Sequence, residues 1–219
     1  MNPSIFKRRL FAVGFTVAVI GVAGSLTACV PLVLGGAAAG TALVATDRRT
    51  SGAQLEDEGI ELRALSRVRE NFGTRVRVST VSFNRQVLLI GEVPNLQDKQ
   101  AVEDMVKKIQ NVDSVVNELG VRSSPSLADR SGDLLITGRL KAAILDARDL
   151  QSNAFKVVTE NNTVYLMGRV TKRESDRATT IARGISGVQR VVRIFETITE
   201  EELQRLQPGR SAPAAATKA

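Results

Sequence analysis

The chain repeats itself, and the repeat limits its fold more than any other feature does. Val87-Leu88-Leu89-Ile90-Gly91-Glu92-Val93 returns 77 residues later as Val164-Tyr165-Leu166-Met167-Gly168-Arg169-Val170. Downstream, Ile109, Val112, Val115 and Val116 match Ile185, Val188, Val191 and Val192 at an offset of 76. Upstream, Ile60, Ala64 and Val68 match Ile136, Leu140 and Ile144, again at 76. Apolar positions that stay aligned while the offset slips only in loops argue for two duplicated domains, expected at 60–122 and 133–199.

Each copy reads as helix, strand, strand, helix, strand. Residues 60–71 put Ile60, Ala64, Leu65 and Val68 on one helical face, and 134–145 do likewise with Ile136, Leu140, Ile144 and Leu145. Short strands follow at 76–80 and 154–159. The turns Ser82-Phe83-Asn84-Arg85 and Glu160-Asn161-Asn162 carry Asn, which tolerates positive φ and closes hairpins. The two Val-x-Leu-x-Gly-x-Val segments supply the second strands. Amphipathic helices are expected at 96–109 and 172–185, bounded by Gln110-Asn111 and Gly187, and last strands at 114–121 and 188–198. The hairpin is antiparallel, and a right-handed strand-helix-strand crossover makes the other pair parallel. Two helices on one face of a three-stranded mixed sheet give an α+β sandwich. A unit of about 60 residues is marginal alone, so the copies are expected to support each other by packing.

Composition narrows the chemistry. The 219 residues include no His, no Trp and one Cys. One Cys excludes an internal disulfide framework and a Cys/His zinc cluster, and without His there is no imidazole for Ser-His-Asp or Cys-His catalysis. The expectation is a protein that is not an enzyme and holds neither metal nor cofactor. The formal charge of +7 suits an anionic surface.

The first thirty residues carry an export signal. Lys7-Arg8-Arg9 precede an apolar run at 10–24. That run is short for a spanning helix, which needs about 20 residues, and fits a signal-peptide core. Leu26-Thr27-Ala28-Cys29 then resembles the lipobox of bacterial lipoproteins. The reading is a signal peptide at 1–28, with Cys29 as the lipid-attachment residue carrying a diacylglycerol. Acyl chains contribute about 0.8 kcal/mol per buried CH₂, so two or three chains hold firmly. Position 30 is Val; an Asp there resembles an inner-membrane retention signal, so its absence points to the outer membrane. Residues 29–59 read as the lipidated N-terminus and a tether, rich in Ala, Gly, Val and Leu up to residue 45. Residues 207–219, opened by Gln207-Pro208-Gly209, read as a disordered tail.

Taken together, the tandem αββαβ units, the strands ending in Leu89-Ile90-Gly91 and Leu166-Met167-Gly168, and the Val-rich segment Gly187-Val188-Gln189-Arg190-Val191-Val192 resemble the BON-domain family. A tandem pair behind a lipobox is similar to outer-membrane lipoproteins of that family. Thr46-Asp47-Arg48-Arg49, Glu56-Asp57-Glu58 and Val158-Thr159-Glu160-Asn161 add to the likeness, which runs from Cys29 to Ile198. The resemblance implies binding of anionic phospholipid by the second domain, through its first helix. The surface would start at Leu134 and Leu135 and include Gly138, Arg139, Lys141, Ala142 and Leu145. It also implies a lipid-anchored place on the periplasmic face of the outer membrane, support of envelope integrity and a place at the division site. Such lipoproteins carry an aromatic residue, suited to a membrane interface, where Leu135 aligns; this chain has Leu.

The residues themselves point the same way more softly. Residues 60–121 hold nine basic and eight acidic residues, and residues 133–198 eleven and seven. Leu134 and Leu135 are adjacent, so both do not face one core. The competing reading is a satellite core contact beside a solvated basic face. Gly91 and Gly168 mark a bulge or close packing in a strand. Arg48-Arg49 either touch headgroups or lie in a soluble linker. Glu200-Glu201-Glu202 mark an exposed helical end, and Glu56-Asp57-Glu58, splayed along the chain, are structural or solvating. The alternative function is a periplasmic adaptor for outer-membrane assembly or cell-wall regulatory proteins, bound through the sheet faces or the first domain. Export, seven Phe and one Tyr disfavour nucleic acid.

Overall fold

The computed structural model describes residues 47–122 and 127–206, the side chains of 127–130 excepted. The expected leader, the lipidated Cys29, the tether up to residue 46 and the tail at 207–219 lie outside the described residues. Both repeats fall within one compact unit, Thr46–Ala219.

The first copy runs α1 (Ser51–Phe72), β1 (Arg77–Phe83), β2 (Gln86–Val93), α2 (Leu96–Lys107), β3 (Ser114–Asn117) and β4 (Gly120–Val121). The second runs α3 (Leu127–Asp146), a 3-10 turn (Ser152–Ala154), β5 (Lys156–Glu160), β6 (Thr163–Val170), α4 (Lys172–Arg183) and β7 (Arg190–Thr197), with α5 (Glu200–Leu206) appended. In both sheets the hairpin is antiparallel and the last strand lies parallel to the central one, with orders β1-β2-β3 and β5-β6-β7. Equivalent residues pair: Val87 with Val115, and Val164 with Val191. The one-residue slips fall in the connections, where Pro94-Asn95 precede α2 but Thr171 alone precedes α4. The side chains of Asn95 and Thr171 cap those helices, accepting the N–H of Asp98 and Glu174.

Strand alternation builds two kinds of core. Val87, Leu89 and Val93 of β2 face α1 and α2, packing with Ile60, Ala64, Val68, Val102 and Val106. Val164, Leu166 and Val170 of β6 pack against Ile136, Leu140, Ile144, Ala178 and Ala182. The intervening residues point the other way, and there Leu88, Ile90 and Phe83 meet Tyr165, Met167 and Ile194. The sheets thus close face to face, and each hairpin lies against the open end of the other sheet. The Asn84 amide donates to Glu196 at 2.7 Å, and the Asn161 amide to Glu92 at 3.0 Å. Arg77 bridges Glu92 and Glu160 across the seam. Mutual packing of the copies, expected from their size, is therefore what the chain does.

A buried carboxylate pins each hairpin to its helix. Asp57, on α1, accepts the N–H groups of Asn84 and Arg85 at 2.7 Å each, and the Ser82 hydroxyl. Asp133, 76 residues on, accepts those of Asn161 at 2.8 Å and Asn162 at 2.9 Å. The turn residues have φ of 50° and 65° in the first copy, 49° and 57° in the second, the twist that a two-residue hairpin requires. Of the acidic trio 56–58, Asp57 is thus structural. Asp133→Ala leaves two turn N–H groups unpaired, at about 1–3 kcal/mol for each buried group. The expected fall in melting temperature is roughly 5 °C, read by circular dichroism on the unlipidated chain.

Four expectations need correction. First, α1 begins at Ser51, so residues 47–59, assigned to the tether, belong to the folded unit. Second, Arg48 and Arg49 neither reach headgroups nor lie in a linker. Arg48 forms a buried fork with Glu174, while Arg49 pairs with Asp47 and Asp57 and stacks on Phe83 with its guanidinium carbon 4.2 Å from the ring centroid. Third, Leu65 and Leu145, counted on the core faces of their helices, are 47% and 70% exposed. Fourth, the strand expected at 114–121 is broken. The Asn117 side chain accepts the Leu119 N–H at 3.2 Å, and Leu119 turns into the core beneath α2.

Candidate functional site

The expected lipid surface lies on α3. This helix is held from one side: Ile136, Leu140 and Ile144 are buried, Asp133 grips the hairpin turn, and the Thr137 hydroxyl donates to that of Thr159 at 2.7 Å. At about 100° per residue, the opposite side is formed by 131, 134, 135, 138, 141, 142 and 145, with 139 at its margin. All seven expected residues are exposed: Leu134 at 75%, Leu135 at 60%, Leu145 at 70%, and with them Gly138, Arg139, Lys141 and Ala142. The helix thus brings the whole set onto one face, about 17 Å long from 134 to 145.

Three large apolar side chains on one exposed face are an unusual exposure for a helix of a soluble domain. They flank Gly138 and Ala142, whose small size leaves the face flat between them, and open space surrounds the position of a Gly138 Cβ. Arg139 and Lys141 have no carboxylate partner among the described residues, so both charges are free to meet an anion. Past the helix end, Arg148 is exposed with no such partner either. The expected surface ends at Leu145 and leaves out Arg148, whose position beyond the last helical turn is the one sequence signal for it.

The first copy shows what the arrangement is not. At the positions of Leu134, Leu135, Gly138 and Lys141, α1 has Glu58, Gly59, Leu62 and Leu65. Arg63, Ser66 and Arg69 stand at the positions of Arg139, Ala142 and Leu145, so that face keeps basic residues and adds one carboxylate, Glu58, where α3 has Leu134.

No group of three or more His, Cys, Asp or Glu side chains among the described residues is placed to hold a metal. No helix there is long and apolar enough to cross a membrane. The carboxyl with the clearest environment is Glu174. Burial pushes it up, but the Arg48 guanidinium and the Thr171 N–H overcome that and hold it below the ordinary carboxylate range. It is the buried ion-pair partner of Arg48.

Family comparison agrees with the two-domain architecture. The BON domain pattern matches residues 57–123 and 132–197. The chain belongs to the BON-domain family. It is 37% identical over 179 residues to the outer membrane lipoprotein DolP of Haemophilus influenzae, an alignment that spans 81% of this chain and 92% of that protein. It is 27% identical to a 21 kDa hemolysin of Actinobacillus pleuropneumoniae, over 69% of this chain and 79% of the other. Osmotically-inducible protein Y of Escherichia coli is 30% identical over 55% of this chain and 61% of its own length. The first BON match starts at Asp57, inside α1, and so takes in the carboxylate that pins the first hairpin.

Proposed function

We infer that this BON protein is an outer-membrane lipoprotein, anchored through Cys29 on the periplasmic side, which binds anionic phospholipid through the exposed face of α3 and supports envelope integrity, including at the division site. It works by binding and not by catalysis. The observation that carries the reading is the basic-apolar face of α3, with Leu134, Leu135 and Leu145 exposed beside unpartnered Arg139 and Lys141. The likeness to a protein named as an outer membrane lipoprotein supports the location.

The physics is that of a weak site made effective by tethering. Each cation near an anionic leaflet contributes about 1 kcal/mol, and partial burial of a Leu side chain adds about as much again. Such a face alone holds a membrane loosely. The 18 residues from Cys29 to Thr46 reach at most about 60 Å when extended. Acyl chains at one end of that tether keep α3 at high effective concentration near the leaflet, and the face then selects regions rich in anionic lipid.

The test uses the unlipidated chain from Thr46 onward, sedimented with vesicles of phosphatidylglycerol or of phosphatidylcholine. Binding should need the anionic lipid and weaken with salt. Leu135→Glu, on an exposed position, should abolish it while the melting temperature stays unchanged. Undiminished sedimentation of that variant would remove α3 from the site.

A further inference from the structure

Glu58, Leu62 and Leu65 of the first copy border a groove of their own. It has a volume of about 440 Å³ and runs between α1 and β1, lined by Glu58, Glu61, Leu62, Leu65, Val78, Ser79 and Thr80. Among the described residues β1 pairs with β2 only and is an edge strand. Ser82 shows which way its free edge points: its N–H donates to Glu61 at 2.8 Å, and its carbonyl accepts from Lys156 at 3.0 Å. Thr80 and Val78, two and four residues back, turn their N–H and carbonyl groups the same way. Among the described residues nothing bonds to those outward groups. Leu62 is 66% exposed and Leu65 47%, and Glu58 is exposed with no ion-pair partner among the described residues.

We propose that this groove takes an extended peptide segment of another protein, one that alternates apolar and basic side chains and adds as a strand to the free edge of β1. The backbone groups of Val78 and Thr80 supply the ladder bonds. Apolar side chains of the segment lie against Leu62 and Leu65, and a Lys or Arg meets Glu58, with Glu61 at the end closed by Lys156. An edge strand beside a helix is a recurrent mode of peptide capture, in which the main chain gives affinity and side-chain pockets give selectivity.

Charge decides the occupant. The tether at 30–46 carries no charge, and the tail at 207–219 has no large apolar side chain, so neither matches a groove that is acidic and apolar together. Pairing of β1 with β1 of a second copy would bring Glu58 and Glu61 towards their own kind. The second copy has lost the feature: Leu134, Thr137, Gly138 and Lys141 stand where Glu58, Glu61, Leu62 and Leu65 stand in the first. Duplication has thus left the groove on the first copy and the face from Leu134 to Leu145 on the second, and the first does not depend on the second.

The experiment uses the full lipidated chain in micelles of an uncharged detergent. Binding is read as fluorescence anisotropy of two labelled six-residue peptides, one alternating Lys and Val, the other Glu and Val. The Lys peptide should bind and the Glu peptide should not. Glu58→Lys should weaken binding at least tenfold. Thr80→Pro should do the same, because it removes an outward N–H while the pair Thr80–Leu89, which exchanges no ladder bond, tolerates proline. Circular dichroism verifies that both variants remain folded, and Glu58, being exposed, keeps the test valid if the proline variant does not. Leu135→Glu should leave peptide binding intact, which separates this site from the lipid face. Equal affinity for both peptides, no binding of the Lys peptide, or wild-type affinity in Glu58→Lys overturns the proposal. So does a dimer in sedimentation that Thr80→Pro dissolves, since a second copy would then own the edge.

Discussion

Replacing Glu174 by alanine is expected to lower stability by about 3–5 kcal/mol, the usual loss when one member of a buried ion pair is removed. Arg48 donates from both terminal nitrogens to the two Glu174 oxygens, each at 2.7 Å, and the side chains are only 2% and 3% exposed. The Arg48 guanidinium also donates to the Arg169 carbonyl at 2.8 Å, while Glu174 closes the capping box with Thr171. Alanine at 174 therefore strands a charge that has no route to water and uncaps α4 as well. Arg48→Ala strands the carboxylate and should cost a similar amount. The double variant Arg48→Met/Glu174→Leu should lose much less than the sum, because most of the single-variant cost is the unpaired charge. Urea unfolding of all four proteins gives the coupling; additive losses would mean that the pair is not a unit.

The same pair carries a pH signature. The Glu174 carboxyl is held below its ordinary value of 4.5, chiefly by Arg48 against the upward push of burial. A depressed carboxyl stabilises the fold fully above the unfolded value and loses that contribution as pH falls through the folded one. The stability gap between wild type and Glu174→Ala should accordingly be constant from neutrality to about pH 5 and narrow below it. A gap that widens on acidification would reverse the assignment. The residue that clasps Glu174 is followed directly by Arg49, which pairs with Asp57 in the first copy. Arg48 and Arg49 thus tie the start of the chain's folded part to both domains.

How much of this was legible in the sequence follows from the range of the interactions. The αββαβ order was, because the strand and helix periods of each copy are local and the duplication reads each pattern twice. The face-to-face packing of the sheets was legible in outline: Val87, Leu88, Leu89 and Ile90 are apolar at both parities, as a strand buried on two sides must be. The first turns of α1 were not. There Leu55 is 70% exposed while Asp57 is 2% exposed, an inversion of the usual pattern that reads as tether until the hairpin donors facing Asp57 are known. Arg48 was unreadable for a simpler reason, since its partner is 126 residues away. The exposed face of α3 was found by resemblance, and its residues do share one side. The groove beside β1 was missed because its decisive features, unpaired backbone groups at an edge, leave no trace in residue type.

Gly91→Ala should be as damaging as a large core truncation, on the order of 3 kcal/mol or more, from strain and forced displacement together. Gly91 lies at φ 116° in the middle of β2, where an L side chain rarely goes, and a Cβ there would collide with the Arg77 carbonyl oxygen. That oxygen belongs to backbone and cannot swing aside; β1 would have to move away from β2. Gly168, at the same place in β6, meets the Ala154 carbonyl oxygen in the same manner. Two copies that have diverged in charge over their first helices keep glycine at one site because the close approach is a property of the fold: the chain crosses the central strand as it enters β1 or β5. Chemical unfolding tests this directly. Gly168→Ala should destabilise less, since Gly168 collides without the left-handed backbone, and both variants should lower the denaturant midpoint without changing the slope. If Gly91→Ala melts with wild type, close packing of the entering strand is not what holds that glycine, and a ligand-facing role for the strand would have to be sought instead.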